Sequence, residues 1–203
     1  METMMERLTE EILSRIGIEI EASGRHVHLS REAVDALFGA GYQLTKVRPL
    51  SQPGQFVCRE RVTLVGKKGS IPNVVVLGPE RKESQAEISL TDANVLGVSP
   101  PVRQSGVLSG TPGIIIRHGD RELHLTHGLI AAQRHIHLTP EAAELQGLKD
   151  GQRVRLKCMT GRPVIFEDVV VRVTRESAPA VHIDYDEANA CGFRKGDRGV
   201  VLS

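Results

Sequence analysis

The 203-residue sequence has no tryptophan and only six other aromatic residues, four Phe and two Tyr. Proteins that stack nucleic-acid bases or enclose quaternary ammonium groups depend on aromatic surfaces, so both classes are disfavoured. An excess of one charge is also lacking, because 26 Lys and Arg face 25 Asp and Glu and the net charge is +1. A general nucleic-acid binder needs a concentrated basic face, and the sequence therefore predicts no nucleic-acid partner.

Long apolar runs and cysteine pairs are scarce as well. The longest aliphatic run covers residues 74–77, whereas a membrane-spanning helix needs about 18 apolar residues, so no membrane partner is expected. The three cysteines, Cys58, Cys158 and Cys191, are widely spaced and odd in number. This pattern predicts a reduced, cytoplasmic location without a disulfide framework.

Residues 1–17 place apolar side chains close to a helical period, interrupted by Glu6, Glu10 and Glu11. The glutamates exclude the apolar core of a signal peptide, and the pattern predicts a short amphipathic helix. Two interpretations remain open. The helix packs on its own domain, or it is a targeting segment that docks in a groove of another protein.

The sequence contains an internal duplication. RHVHLSREA at Arg25–Ala33 corresponds to RHIHLTPEA at Arg134–Ala142 in eight of nine positions, six of them identical, at an offset of 109 residues. In a strand, histidines at i and i+2 lie on one face, whereas on a helix the two rings would diverge. Ser30 and Thr139 are typical helix N-caps, so each fragment predicts a strand that turns into a short helix.

A second pair of similar segments ends each half. Residues 87–97 align with residues 182–192 around a shared (D/E)-A-N-x-x-G core, which places Glu87 where the second copy has His182. Here the offset is 95 residues rather than 109, so the first half contains an insertion between its HxH motif and its closing motif.

The remaining segments are short, alternate polar with apolar residues, and are separated by turn residues, which is typical of small barrels. The predicted fold is mainly β with short capping helices. It consists of two small β-barrel domains related by internal duplication, plus the N-terminal amphipathic helix. The expected domains are 18–133 and 134–203 after the helix 1–17, and strand 18–23 is also compatible with the second domain.

The two strand-borne histidines of each half, together with Glu87 in the first half and His182 in the second, form a candidate ligand set of five imidazoles and one carboxylate. Such a set suits zinc, and three protein ligands per ion leave one position open, as in catalytic sites. Two zinc ions would keep about +3 of charge and attract an anionic substrate. The candidate metal ligands are His26, His28, Glu87, His135, His137 and His182.

Two further segments carry candidate groups for binding an anion. Arg81 lies six residues before Glu87, after the turn residues Gly78 and Pro79, where its guanidinium can grip phosphate. The rigid turn PPVRQSG places Arg103 and Ser105 as a second candidate oxyanion clamp.

The motifs RHVHLS, RPLSQPGQF, TLVG, VLGPER, EISLTDANVLGV, PPVRQSG, RHIHL and HIDYDEANA together resemble the PduL-type phosphate propanoyltransferases, a phosphotransacylase family. The similarity runs from about Ile20 to the C-terminus. It implies two β-barrels with a dinuclear zinc site between them. It also implies interconversion of acyl-CoA plus phosphate with acyl phosphate plus CoA, propanoyl-CoA or a similar short chain being the expected substrate.

The resemblance implies the same six metal ligands, a phosphate-handling role for Arg81, and membership of Arg103 and Ser105 in the family's PPVR-x-SG segment. Some family members carry an N-terminal helix that directs them into bacterial microcompartments. The expected partners are therefore acyl-CoA and phosphate, together with shell or co-encapsulated proteins reached through residues 1–17, and a second copy of the chain. The expected location is the cytoplasm or the lumen of a microcompartment.

The sequence departs from the family pattern at Leu90, where Arg is usual, and at Val107 in place of Asp. These departures bear on acyl preference, CoA affinity or turnover. Two alternatives remain open. One is a bicupin-like metal oxygenase or isomerase, in which Glu32 would be the carboxylate of a cupin-type motif that begins with His26 and His28. The other is a non-catalytic scaffold stabilised by zinc.

Overall fold

The computed structural model describes Met4 and residues 17–202, which form a mainly β protein with short helices. None of the described helices is long and apolar enough to cross a membrane. The elements follow in this order: β1 (Ile18–Ser23), β2 (His26–Ser30), α1 (Arg31–Phe38), β3 (Lys46–Pro49), β4 (Phe56–Val65), β5 (Ser70–Arg81), β6 (Gln85–Glu87), α2 (Leu90–Leu96), β7 (Val102–Arg103), β8 (Ile115–His118), β9 (Arg121–His124), β10 (Leu129–Ala132), β11 (His135–Leu138), α3 (Pro140–Leu145), β12 (Arg153–Met159), β13 (Ile165–Val173), β14 (Ala180–Asp184), α4 (Tyr185–Cys191) and β15 (Arg198–Leu202).

One compact unit joins β1 to the chain from Arg134 onward. Its six strands close into a barrel in the order β1-β14-β11-β13-β12-β15. Strand β1 completes the ring by pairing in parallel with β14 and antiparallel with β15. Alternate residues of these strands, including Ile20, Ile136, Leu156 and Val181, fill the barrel core. The strand 18–23 thus belongs to the barrel built from the second half of the sequence.

The other unit, Gly24–Gln133, is built on a nine-stranded sheet. Eight strands follow the order β7-β10-β6-β2-β5-β4-β8-β9, and β3 pairs with β4 at the side. Helix α1 contributes Val34 and Leu37 to the core, together with Val27 and Leu29 from β2. The two strands that carry the first set of candidate ligands, β2 and β6, lie side by side within this sheet.

The predicted mainly β fold class with short helices is confirmed, and one of the two expected barrels is a closed ring. The first half differs because it is longer. Strands β3, β4 and β5 lie between its two motifs, where the second half has only β12 and β13, and further strands follow α2. The helix expected over residues 1–17 falls outside the described residues, apart from Met4 and Gly17.

The two fragments of the duplication have the predicted local structure. In each, a strand with the two histidines leads directly into a helix, β2 into α1 and β11 into α3. The Ser30 hydroxyl accepts a hydrogen bond from the Ala33 amide at 3.2 Å, and the Thr139 hydroxyl accepts one from the Ala142 amide at 3.2 Å. These hydroxyls act as N-caps because the first amides of a helix have no partner within the helix.

The helices that end the two halves also share the same capping structure at both of their termini. Helices α2 and α4 each begin with a reciprocal capping box, Ser89 with Asp92 and Asp184 with Glu187. Each helix ends at a left-handed glycine, Gly97 with φ 68° and Gly192 with φ 62°. A left-handed backbone favours glycine, which explains why both copies keep this residue at the same place.

We predict that Gly113→Ala destabilises the protein by about 3 kcal/mol, the upper range for inserting a methyl group into a packed site. A Cβ at this position would overlap the backbone carbonyl of Leu125, which cannot rotate away. The free energy of unfolding in urea measures the effect. Gly161→Ala is the matched control, because no atom lies within 4 Å of its Cβ position. Equal unfolding midpoints for the two variants would contradict the prediction.

A candidate metal-binding active site

The first group of candidate ligands is formed by His26 and His28 on β2 and Glu87 on β6. Strand alternation places both imidazoles on one face of β2, and the antiparallel register sets Glu87 directly opposite His26. The Nε2 atoms of His26 and His28 lie 3.5 and 4.0 Å from Oε1 of Glu87. All three side chains are buried, and their ligand atoms lie within 4.8 Å of one another.

The second group is formed by His135 and His137 on β11 and His182 on β14. His182 is the direct antiparallel partner of His135, just as Glu87 is of His26. The Nε2 atoms of His135 and His137 are 3.0 Å apart, and the three ring centroids are separated by 4.7 to 5.1 Å. The ligand atoms of this group also lie within 4.8 Å. The structure therefore brings the six predicted ligands into two groups of three, one within each unit.

Histidines at the centre of each group are held in the neutral form that a metal requires. Burial, with help from the neighbouring His26 and Arg81, holds the pKa of His28 well below its usual value. Burial and the neighbouring His135 and His182 lower the pKa of His137 to about 3. A neutral imidazole has a free lone pair, so these rings need no deprotonation before they bind a cation.

The pair of His26 and Glu87 behaves differently. Burial alone would lower the pKa of His26 and raise that of Glu87. Their mutual attraction and hydrogen bonding outweigh burial, so the pKa of His26 is raised and the pKa of Glu87 is held well below its usual range. The carboxylate is therefore ionised, as a metal ligand must be.

These donors fit zinc. Sets of three His, or of two His and one Glu, are those in which zinc enzymes keep a fourth coordination position open. Nε2 of His182 is buried and makes no hydrogen bond, a cost that an ion at the centre of the group would remove. The backbone carbonyl of Gly24 lies 2.8 Å from Nδ1 of His26 and orients that ring with Nε2 toward Glu87.

An ion pair that occurs in both halves of the chain lies next to each group. Arg25, immediately before His26, contacts both carboxylate oxygens of Asp92 at 2.9 and 2.7 Å. Arg134, immediately before His135, donates to Oε1 of Glu187 at 2.8 Å. Each acid stands five residues after the third ligand of its group, in the first turn of the closing helix. In each half, this ion pair thus connects the histidine strand to the helix that follows the third candidate ligand.

A polar cluster adjoins the first group. The Ser105 hydroxyl lies 2.8 Å from Oε1 of Glu87, to which it donates, and it accepts hydrogen bonds from Arg81 at 3.1 Å and Gln85 at 2.7 Å. Gln85 also donates to Glu87 at 2.5 Å and accepts from the backbone amide of Gly106 at 3.0 Å. Two of the three predicted anion-binding residues, Arg81 and Ser105, are thereby brought to the first group.

Arg103 stands apart from this cluster. Its side chain is exposed and donates to the backbone carbonyl of Val102 at 3.1 Å. Leu90 and Val107, where the sequence departs from the family motifs, are about half exposed. Glu32, on which the cupin alternative depended, lies exposed in the first turn of α1 and is not part of the group formed by His26, His28 and Glu87.

Sequence reasoning missed three residues near the ligands. Gln85 stands two residues before Glu87, which is the same-face spacing of the HxH motif and was a usable signal. Arg172 on β13 is the register partner of His137, and Glu21 on β1 is the register partner of His182. Neither shares a recognisable motif with its histidine, because only strand pairing brings them together.

We predict that metal-free protein binds two equivalents of zinc and that His28→Gln and His137→Gln each remove one. Glutamine keeps much of the side-chain volume but replaces an imidazole nitrogen with a weaker donor. The loss in affinity should exceed the roughly 10- to 100-fold cost of changing residues outside the ligand shell. Titration against a chromophoric chelator measures both stoichiometry and affinity.

His127→Gln is the control for these variants, because His127 is exposed and pairs with Glu83 outside both groups. It should bind two zinc ions with unchanged affinity. Two tight equivalents in His28→Gln or His137→Gln would contradict the assignment of that ligand.

Comparison with known proteins identifies the family. The sequence profile of the phosphate propanoyltransferase family matches residues 19–194. The phosphate propanoyltransferase of Enterococcus faecalis is 56% identical over 98% of this chain and 97% of its own length. That of Listeria monocytogenes is 54% identical over 98% of this chain and 94% of its own, and that of Clostridioides difficile is 55% identical over 97% and 96%. The resemblance read from the motifs is thereby confirmed, and the chain belongs to the phosphate propanoyltransferase family, whose members are phosphate acyltransferases.

Proposed function

We propose that this protein is a zinc-dependent enzyme that interconverts acyl-CoA plus phosphate with acyl phosphate plus CoA. The observation that carries the proposal is the family match over residues 19–194, a span that includes both ligand groups. The shared name of the relatives, phosphate propanoyltransferase, favours propanoyl-CoA or a similar short-chain thioester as the substrate.

The ligand groups support the metal requirement. His26, His28 and Glu87 would hold one zinc ion, and His135, His137 and His182 the other. When bound, zinc polarises a carbonyl oxygen and stabilises the negative charge that develops there during acyl transfer.

Arg81 is suited to bind and orient phosphate. Its guanidinium reaches the Ser105 hydroxyl, which in turn contacts Glu87, so the cation lies at the edge of the first ligand group. A guanidinium can donate two parallel hydrogen bonds to phosphate, which sets the direction of the attacking oxygen. Holding phosphate beside the thioester converts an encounter in solution into a reaction within one complex.

Ser105 is not suited to act as a covalent nucleophile. Its oxygen accepts hydrogen bonds from Arg81 and Gln85, so both of its lone pairs are engaged, and its proton is directed to Glu87. We therefore favour direct transfer. A phosphate oxygen forms a bond to the acyl carbon, the carbon–sulfur bond breaks, and its electron pair leaves with sulfur as the CoA thiolate. Ser105 and Gln85 orient the Glu87 carboxylate throughout.

We predict that CoA release from propanoyl-CoA requires phosphate and stops when the metal is removed by a chelator. Arg81→Gln should lower kcat/KM for phosphate by about 100-fold or more, a loss typical for removing one hydrogen-bond donor that stabilises the transition state. Thiol detection with a chromogenic disulfide measures the rate.

The matched control is Arg59→Gln, since Arg59 is exposed and donates to Thr45 away from the ligands. This variant should keep its activity. CoA release that continues without phosphate would indicate a thioesterase, and no release from the intact, metal-loaded chain would favour the scaffold alternative. Oxygen uptake with bound iron would instead favour the oxygenase alternative.

We further propose that residues 1–17 direct the protein into a bacterial microcompartment through shell or co-encapsulated proteins. The support is the amphipathic pattern of this segment together with the family resemblance. Fused to a fluorescent reporter, residues 1–17 should yield discrete foci in cells that form the compartment. The same residues in scrambled order should leave the reporter diffuse, and a diffuse signal from the native order would overturn the proposal.

A further inference from the structure

Arg81, the residue suited to bind phosphate, ends strand β5 at a point where the sheet pairing is interrupted. The last residue of β5 with a register partner in β4 is Gly78, which lies opposite Phe56. Pairing with β2 passes from Leu77 directly to Arg81, with a register shift between them. The direction in which the Arg81 guanidinium extends therefore depends on contacts other than the regular ladder of the sheet.

Arg31, the first residue of helix α1, supplies one of these contacts. Its Nη1 donates to Oε1 of Glu80, the residue immediately before Arg81, at 2.6 Å. The side chains of Arg31 and Glu80 are 35% and 29% exposed, so their ion pair is partly shielded from water and stronger than one on an open surface. Glu80 thus binds α1, while its neighbour Arg81 reaches the Ser105 hydroxyl at 3.1 Å beside the first ligand group.

The Arg31 guanidinium is itself fixed by two further acceptors. Its Nη2 donates to Oδ1 of Asp35, one helical turn further along α1, at 2.8 Å, and to the backbone carbonyl of Tyr42 at 2.7 Å. Because the planar fork of a guanidinium is rigid, a side chain held by these two acceptors loses little further freedom when it binds Glu80. Arg31 therefore connects α1, the segment after α1 and the end of β5.

A second contact with the start of α1 lies on the other side of Arg81. The backbone amide of Ser30, the N-cap of α1, donates to the Ser84 hydroxyl at 2.9 Å, and both residues are buried. The chain is thus attached to the start of α1 both before and after Arg81. The attachment between Arg31 and Glu80 is made by side chains alone, so a substitution removes it without deleting a backbone hydrogen bond.

We propose that Arg31 is a positioning residue for phosphate binding, because through Glu80 it holds the backbone of Arg81 in the place from which the guanidinium reaches the first ligand group. The inference rests on the proposed function, in which Arg81 binds phosphate. Arg31 does not contact the substrate in this role, and its effect on the reaction passes through Arg81. A misplacement of about 1 Å in a positioned group costs about 100-fold in rate, so this link has a measurable effect on turnover.

The test is a double-mutant cycle of Arg31→Gln and Arg81→Gln in the complete, zinc-loaded chain, with the phosphate dependence of CoA release as the readout. We expect Arg31→Gln alone to lower kcat/KM for phosphate by about 10-fold, less than a full 1 Å misplacement would cost, and to leave the KM for propanoyl-CoA unchanged. In the Arg81→Gln background the same substitution should have no further effect, because its route to the reaction is already removed.

Two further variants change the same ion pair. Glu80→Gln removes it from the side of the strand and should reproduce the loss seen in Arg31→Gln. Arg31→Lys should restore part of the loss, because an ammonium group still pairs with Glu80 but lacks the guanidinium fork that binds all three acceptors.

Asp35→Asn is the matched control, because Asp35 binds the same guanidinium but belongs to α1 rather than to the segment of Arg81. It should leave kcat/KM for phosphate unchanged. Equal losses from Arg31→Gln in the native and Arg81→Gln backgrounds, or an equal loss in Asp35→Asn, would indicate a general effect on α1. Either result would overturn the positioning role and leave the proposed enzyme intact. Absence of phosphate-dependent CoA release from the native chain would overturn the proposed function and this role together.

Discussion

The antiparallel register between a histidine strand and its neighbour is the constraint on which both ligand groups depend. His26 faces Glu87 across β2 and β6, and His135 faces His182 across β11 and β14. A slip of one residue would turn the third ligand to the opposite face of the sheet, because side chains alternate along a strand. Two imidazoles would then remain without the donor that completes each group.

The chain holds this register with an ion pair that occurs in both halves. Arg25 binds Asp92, and Arg134 binds Glu187, so the residue before the first histidine is tied to the helix that follows the third ligand. Asp92 and Glu187 also cap their helices, which couples the helix start to the strand position. A partly buried ion pair of this kind is valuable for fixing geometry more than for overall stability.

Burial then prepares the donors for a cation. The same desolvation that lowers the pKa of His28 and His137 leaves their nitrogens neutral, while attraction to His26 keeps Glu87 ionised. Around the first group, Ser105 and Gln85 hold the carboxylate, and Arg81 brings positive charge beside it. The arrangement places candidate metal ligands beside a guanidinium that is suited to bind an anion, and the proposed transfer of an acyl group to phosphate would use both.

The sequence by itself determined the duplication, the strand-to-helix units with their N-caps at Ser30 and Thr139, and the six candidate ligands. These features depend on local periodicity and on the types of residues a few positions apart, and both can be read directly from the sequence. Only the tertiary structure decided that β1 closes the barrel of the second half, that the first half is a nine-stranded sheet, and that Glu21 lies beside His182. The reason is physical: strand order and register arise from packing between segments far apart in the chain, and no local pattern specifies which distant strand will be the neighbour.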